Sequence, residues 1–361
     1  MARTGWLPKP LLATYLTLVL LVILEVAVQW RSHVRFGQSV FAMLQGRSPY
    51  LFDAQVGLML LRPDHVSLGE QQRIAANRHG LRSPDIPEHA ADGTYRIAVL
   101  GASTVMGAFA ARNELTFPAL LEAELNRAGG PRRYEVINAG IAGLTLAEQA
   151  QLFDRLVSRF RPNLTIVYPG FNDFGRYCRA ASGPARWHRQ PLVDFGLPAW
   201  LLSVELLLKN SVPLRTLPDG IDARVDAAAV DLAPYRNSLN DLFTTLKRHG
   251  TEVLIARNTR SYRREQPAAE QARLSETARF YNPCFDVEGL HTLFDRHNEA
   301  IVDVASRSGV PSLALDQAVP GGAEYFADAS HFSAKGERLV ASWLAAQLVQ
   351  IGVASRPAVQ P

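Results

Sequence analysis

"YRIAVLGASTVMGAF", residues 95–109, starts as a near-continuous apolar run and breaks at Gly-Ala-Ser, 101–103, before a helical spacing takes over. A short Val/Ile/Leu run bounded by glycine suits a strand covered on both faces, as in parallel sheets. Four more runs share the pattern: "YEVINAG" (134–140), "LTIVYPG" (164–170), "TEVLIARN" (251–258) and "PSLALD" (311–316). Between them stand amphipathic patterns, "ELTFPALLEAELNRAG", "LAEQAQLFDRLVSRF", "YRNSLNDLFTTLKRHG", "LFDRHNEAIVDVASRSG" and finally "AKGERLVASWLAAQLVQ". Several are closed by a glycine just past the last turn, a helix stop signal. Strand and helix alternating in this way predict an α/β fold, a doubly wound parallel sheet of about five strands.

The chain has 361 residues and a formal net charge of +4, with no basic run interleaved with aromatics, so nucleic acid is not an expected partner. Near the N-terminus, "PLLATYLTLVLLVILEVAVQW" (10–30) is apolar except for Glu25 and Gln29. It has the length of a membrane span. A cleavable signal peptide is the rival reading, but no clean small-x-small site follows, and Trp30 with Arg31 reads as the interfacial end of an anchor. Residues 1–34 are expected to be a single-pass membrane anchor with the rest extracytoplasmic. Residues 35–94 read as a juxtamembrane lead-in with turn chemistry at "ANRHGLRSPDIP" (76–87), 95–352 as one domain, and 353–361 as a polar tail. The connection 171–232 is much longer than its fellows and carries "LPAWLLSVELLLKNSVPL" (197–214). It reads as an insertion that caps the site, packs on its own domain or touches the membrane surface.

In open α/β sheets, ligands bind at the carboxyl ends of the strands, where amides of the following helices point outward. Ser103 sits at such an end, and a helix N-terminus there favours the negative charge of an alkoxide or tetrahedral oxyanion. Alone it would read as a helix cap. Three more strand ends add to it. "NAGIAGLT" places Gly140 and Gly143 where backbone can approach a ligand, "PGFNDFG" offers the amide of Asn172 beside Asp173, and "FADASHFSAKG" sets Asp328 three residues before His331. Hydroxyl, imidazole, carboxylate and spare N–H donors are the parts that acyl transfer through serine requires. H-E-x-x-H and the Walker A pattern are absent, and no G-x-S-x-G elbow forms at Ser103 because position 105 is Val. His291 and His297, six apart on one predicted helix, read as solvated or capping residues. Cys178 and Cys284 lack metal-site spacing. Both follow carboxyl ends of strands, which predicts proximity; a disulfide and two free thiols both fit.

The four segments resemble the conserved blocks of the SGNH hydrolases, also called the GDSL esterase/lipase family. "GAST" carries Ser103, "NAGIAGLT" Gly143, "GFND" Asn172, and "DASH" Asp328 and His331, over roughly 95–350. "N-x-x-G-L-R" at 77–82 resembles the lead-in of membrane-anchored members. One position departs: Ala102 stands where the family usually has Asp. The resemblance implies a flavodoxin-like three-layer sandwich over 95–352. It also implies Ser103 as nucleophile, His331 as base, Asp328 as its orienter, an oxyanion hole from Ser103, Gly143 and Asn172, and neither cofactor nor metal.

The activity so implied is a serine esterase acting on small acyl esters, O-acetyl groups among them, on acylated glycans of the cell envelope. Acyl transfer to a sugar hydroxyl is one alternative. A catalytically weak glycan-binding component of envelope assembly is another, against which the whole set Ser103, Gly143, Asn172, Asp328 and His331 weighs. After the fourth strand, "ARNTRSYRRE" (256–265) brings Arg257, Arg260, Arg263 and Arg264 toward the same rim. Arg257 and Arg260 are candidate substrate-binding residues for an acidic group, set against the plainer reading of a solvated loop.

Overall fold

The computed structural model describes residues 8–37, 49–127, 132–182, 201–211 and 225–353. Parts of the expected insertion, 183–200 and 212–224, and 354–361 of the expected tail lie outside the described residues. The N-terminal apolar stretch forms α1 (Lys9–Phe36), a candidate transmembrane helix none of whose most apolar stretch is buried. Two antiparallel hairpins follow, β1 (Tyr50–Asp53) with β2 (Leu58–Leu61) and β3 (Val66–Leu68) with β4 (Arg73–Ala75). The body begins with β5 (Thr94–Gly101), α2 (Ser103–Met106), α3 (Phe117–Arg127), β6 (Arg133–Gly140), α4 (Leu146–Arg155) and β7 (Leu164–Tyr168). It continues through α5 (Gly175–Ser182), α6 (Leu202–Ser211), α7 (Ala233–Arg248), β8 (Glu252–Ala256), α8 (Ala268–Leu274) and α9 (Glu276–Tyr281). It ends with α10 (Val287–Arg307), β9 (Ser312–Leu313), α11 (Leu315–Ala318) and α12 (Ala334–Gln350).

The five body strands form one parallel sheet in the order β6-β5-β7-β8-β9. Side chains alternate across it. Ile97 and Val99 pack with Phe117 and Leu121 of α3 and Leu344 of α12, whereas Ala98 and Leu100 join Leu152 of α4, Leu242 of α7 and Ile301 of α10. Burying an aliphatic side chain on either face stabilises by roughly 2 kcal/mol, so the strands are fixed points from which loops hang. The chain leaves β5 for β6 on one side and reaches β7 on the other. That switch opens a crevice at the carboxyl end of β5, immediately before Ser103.

The structure departs from the expected pattern in two places. The fifth strand is only Ser312–Leu313; the chain then turns into α11, where Asp316 pairs with Arg257 at 2.8 Å. The lead-in also carries regular structure in its two hairpins. It is bolted to the body by Arg82, which is buried and donates to the carbonyls of Arg73, Met106, Gly107 and Ala110 and to the side-chain oxygen of Asn113. Asn113 in turn exchanges hydrogen bonds with the backbone of Ala75 in β4. Cys178 of α5 and Cys284, just before α10, are bonded with their Cα atoms 5.4 Å apart. Closing a loop across 106 residues of sequence stabilises the fold by about 3–5 kcal/mol.

Candidate active site

Ser103 opens the one-turn helix α2 directly after β5. The turn is closed by backbone bonds, Met106 N–H to Ala102 O at 3.0 Å and Ala108 N–H to Ser103 O at 3.0 Å. Gly140, at the end of β6, lets it settle onto the sheet, because a Cβ there would lie 2.1 Å from Met106 N. Arg82 collects the carbonyls at the turn's far end. Ala102 is buried and gives the helix no side-chain cap, so backbone and Arg82 hold the turn that an Asp would otherwise support.

Ser103 Oγ lies 2.8 Å from Nε2 of His331, and Nδ1 of His331 lies 2.8 Å from Oδ2 of Asp328. The other oxygen of Asp328 accepts the amides of Ser330 and His331, each at 2.9 Å. Burial pushes the Asp328 carboxyl up, but the hydrogen bond and charge of His331 and these two amides together outweigh it and hold the group below its usual range. An ionised Asp328 fixes the imidazole with Nδ1–H toward the carboxylate and Nε2 toward the hydroxyl. The loop that carries both residues is itself pinned, by Ala327 N–H to His331 O and by the bridge between Phe326 and Phe332.

The pair Ser103 and His331 opens into a cavity of about 640 Å³, which Gly143 and Asn172 also line. Gly143 has φ of 83°, and a side chain there would meet nothing within 4 Å; its backbone is bare toward open space. One N–H of the Asn172 amide is held by Leu144 O at 3.0 Å, which sets the plane of the group. Asp173, adjacent, serves the fold: it accepts Leu146 N–H at the start of α4 and pairs with Arg176. The sequence reading missed the part of the wall built by Phe36, Tyr50, Gln71, Gln72 and Ile74 of the N-terminal region.

A strand-end serine in hydrogen-bonded line with histidine and aspartate, on a 2-1-3-4-5 sheet, has a matching family. The model of the GDSL-like lipase/acylhydrolase family matches residues 99–339. The chain belongs to that family. This acylhydrolase is an SGNH-type serine hydrolase, with esterase chemistry. Among solved structures it is similar to the lipase/acylhydrolase from Enterococcus faecalis, at 16% identity over 74% of this chain and 100% of the other, TM-score 0.42. It is also similar to an acetyl xylan esterase from Geobacillus stearothermophilus, at 14% identity over 74% and 97%, TM-score 0.43. Comparison with curated protein sequences gives no significant match.

Arg257 and Arg260 are absent from the described lining of the acylhydrolase's cavity. Arg257 pairs with Asp316, and Arg260 is buried, bonded to Asp295 at 2.9 Å and to Nδ1 of His291 at 3.1 Å. Arg263 donates to Thr259 and to the carbonyls of Asp316 and Val319, and Arg264 pairs with Glu288 and Asp295. The fold itself engages all four cations. His291 and His297 are also not solvated; both are fully buried on α10. His297 contacts the Tyr177 hydroxyl at 3.0 Å, with the Tyr235 ring centroid 4.0 Å away, and burial drives its pKa far down.

Proposed function

We propose that this acylhydrolase is a membrane-anchored serine esterase that cleaves O-acyl esters on envelope carbohydrates through an acyl-Ser103 intermediate. The observation that carries the reading is the unbroken line Asp328–His331–Ser103 ending in an open cavity. Ser103 Oγ attacks the ester carbonyl carbon while Nε2 of His331 takes its proton. The tetrahedral oxyanion accepts from the amides of Ser103 and Gly143 and from the second N–H of Asn172, each contributing about 3 kcal/mol in the transition state. Collapse breaks the C–O bond, and the alcohol leaves with the proton from His331. Water, deprotonated by the same imidazole, then attacks the acyl carbonyl and releases the acid.

Gln71 and Thr277 on the cavity wall suit sugar hydroxyls, since each side chain both donates and accepts. The Cys178–Cys284 bond favours an oxidising compartment, and with it an extracytoplasmic domain. The test treats the full-length protein with a fluorophosphonate and with p-nitrophenyl esters from acetate to octanoate. Labelling of wild type at Ser103, with none in Ser103→Ala, is expected, and chain-length preference sizes the pocket. A folded wild type that is neither labelled nor active would refute the reading.

A further inference from the structure

We infer that the ester reaches this site on an amphiphile resident in the bilayer, because the candidate membrane span ends in the wall of the catalytic cavity. The inference rests on the esterase reading above and adds where the substrate is held. Phe36, the last residue of α1, lines the same cavity as Ser103 and His331. The carbonyls near a helix C-terminus have no partner in their own helix; here Val34 O accepts Glu70 N–H at 2.8 Å and Arg35 O accepts Gln71 N–H at 3.0 Å. Gly69 makes that approach feasible, since a Cβ there would lie 2.3 Å from Arg35 O. Just beyond Glu70, Gln71 and Gln72 are cavity wall. Span and site are thus joined by hydrogen-bonded backbone at the helix end.

The heights agree. Trp30 is 65% exposed and ends the apolar run, as an interfacial aromatic does. Six residues of helix separate it from Phe36, about 9 Å, while the headgroup layer beyond the hydrocarbon is about 5–8 Å deep. The cavity wall therefore begins at the outer edge of the headgroup layer. The hydroxyls of Thr14 and Thr17 donate to the carbonyls of Pro10 and Ala13, satisfying themselves within α1 as hydrocarbon surroundings demand. Glu25, the one acidic group of the span, accepts the amides of Leu202 and Ser203 at the start of α6, each at 3.0 Å, and the amide of Gln29 at 2.6 Å. From there α6 also packs on α9, whose Phe280 and Tyr281 line the cavity. Its Leu207 is 68% exposed, a second apolar contact for the bilayer. A diffusing glycan could be served by a domain on a loose tether. A site fixed at this height fits an ester that cannot leave the membrane, its apolar part in the lipid and its acylated head at the cavity.

The experiment compares two esters with one head. Full-length protein in phosphatidylcholine vesicles is given octadecyl tetra-O-acetylglucoside in the same bilayer, or methyl tetra-O-acetylglucoside in solution, and acetate release is measured. The anchored ester should be cleaved at least roughly tenfold faster at equal bulk concentration, beginning with the gain any shared surface brings. One variant separates docking from that gain: Leu207→Asp, at an exposed position of α6 outside the described cavity lining. It should cut the anchored rate about fivefold or more and leave the methyl rate unchanged, which also reports that it folds. Cleavage of the methyl ester without preference for the anchored one overturns the inference and leaves the esterase reading standing. So does a variant that lowers both rates alike or neither. Cleavage of neither ester by wild type overturns both readings.

Discussion

His331, on the loop before α12, and His291, on α10, are surrounded by similar chemistry, and the loop of Arg260, which bonds His291, is tied to the His331 loop by the hydrogen bond from Ser261 N–H to Ala329 O at 3.0 Å. His331 has a carboxylate on one nitrogen and a hydroxyl on the other, with one side of its ring on the cavity. His291 accepts from Arg260 Nη2 at Nδ1 and meets Gln271 Oε1 with Nε2 at 2.8 Å, and the same Nη2 donates to Asp295. Its two nitrogens are consumed by the fold, which fixes a neutral tautomer with the proton on Nε2. Residue types at a strand's carboxyl end become a site only where a hydrogen-bonding group is left facing open space. For that reason the arginine loop after β8 braces the structure while the serine turn after β5 meets the cavity.

The contrast is broken most directly by exchanging the two histidines for alanine. His331→Ala is expected to lower kcat on p-nitrophenyl acetate roughly 10³- to 10⁴-fold with little change in Tm. His291→Ala should keep kcat within a small factor but lose about 3 kcal/mol of stability, since it opens a hole and strips Arg260 of an acceptor. Steady-state kinetics and urea unfolding on both variants decide it; a His291→Ala enzyme that is stable and inactive would reverse the assignment.

A smaller effect concerns the arginines. Arg260→Ala should cost about 2 kcal/mol through the lost pair with Asp295 and the lost seat over Phe294, where the guanidinium lies 5.1 Å from the ring centroid. The ratio of rates on a succinyl and a neutral ester should not move, for Arg260→Ala or Arg257→Ala. A selective rise in KM for the anionic ester would return these side chains to the substrate.

The sheet was legible because parallel strands buried on both faces leave continuous apolar runs, and Ser103, Gly143, Asn172 and His331 were legible because each follows such a run. The hairpins of the lead-in were not, since strands such as Val66–Leu68 and Arg73–Ala75 are too short to show a period. Nor does any local pattern announce that Phe36, Gln71 and Gln72 form a wall of the cavity, because the contact is made by the chain's return past α1. The burial of Arg82 and Arg260 has no local sequence signal for the same reason: the carbonyls and Asp295 that engage them are distant in sequence. Charge can be read from composition, but whether it is already paired depends on topology.

The last prediction sharpens the two-histidine contrast by pH. Burial first, and then the neighbouring charges of Arg260 and Arg264, lower the pKa of His291 from 6.5 to about 4. A histidine whose folded pKa is depressed binds its proton more readily in the unfolded chain, so its contribution to stability is complete above the unfolded value and is lost as the pH falls from 6.5 toward about 4. Asp328 works in the same direction lower down, because its carboxyl is also held below its usual range, and acid unfolding of wild type therefore mixes both. The histidine is isolated by subtraction. His291→Gln keeps a neutral group that can accept from Arg260 yet cannot take up a proton in this range. Urea midpoints of wild type and His291→Gln, measured side by side, should run parallel above 6.5 and converge below it as wild type alone loses stability. Curves that stay parallel down to pH 4 would mean that His291 carries its proton in the folded state, and that the Arg260 contact is not the neutral hydrogen bond described above.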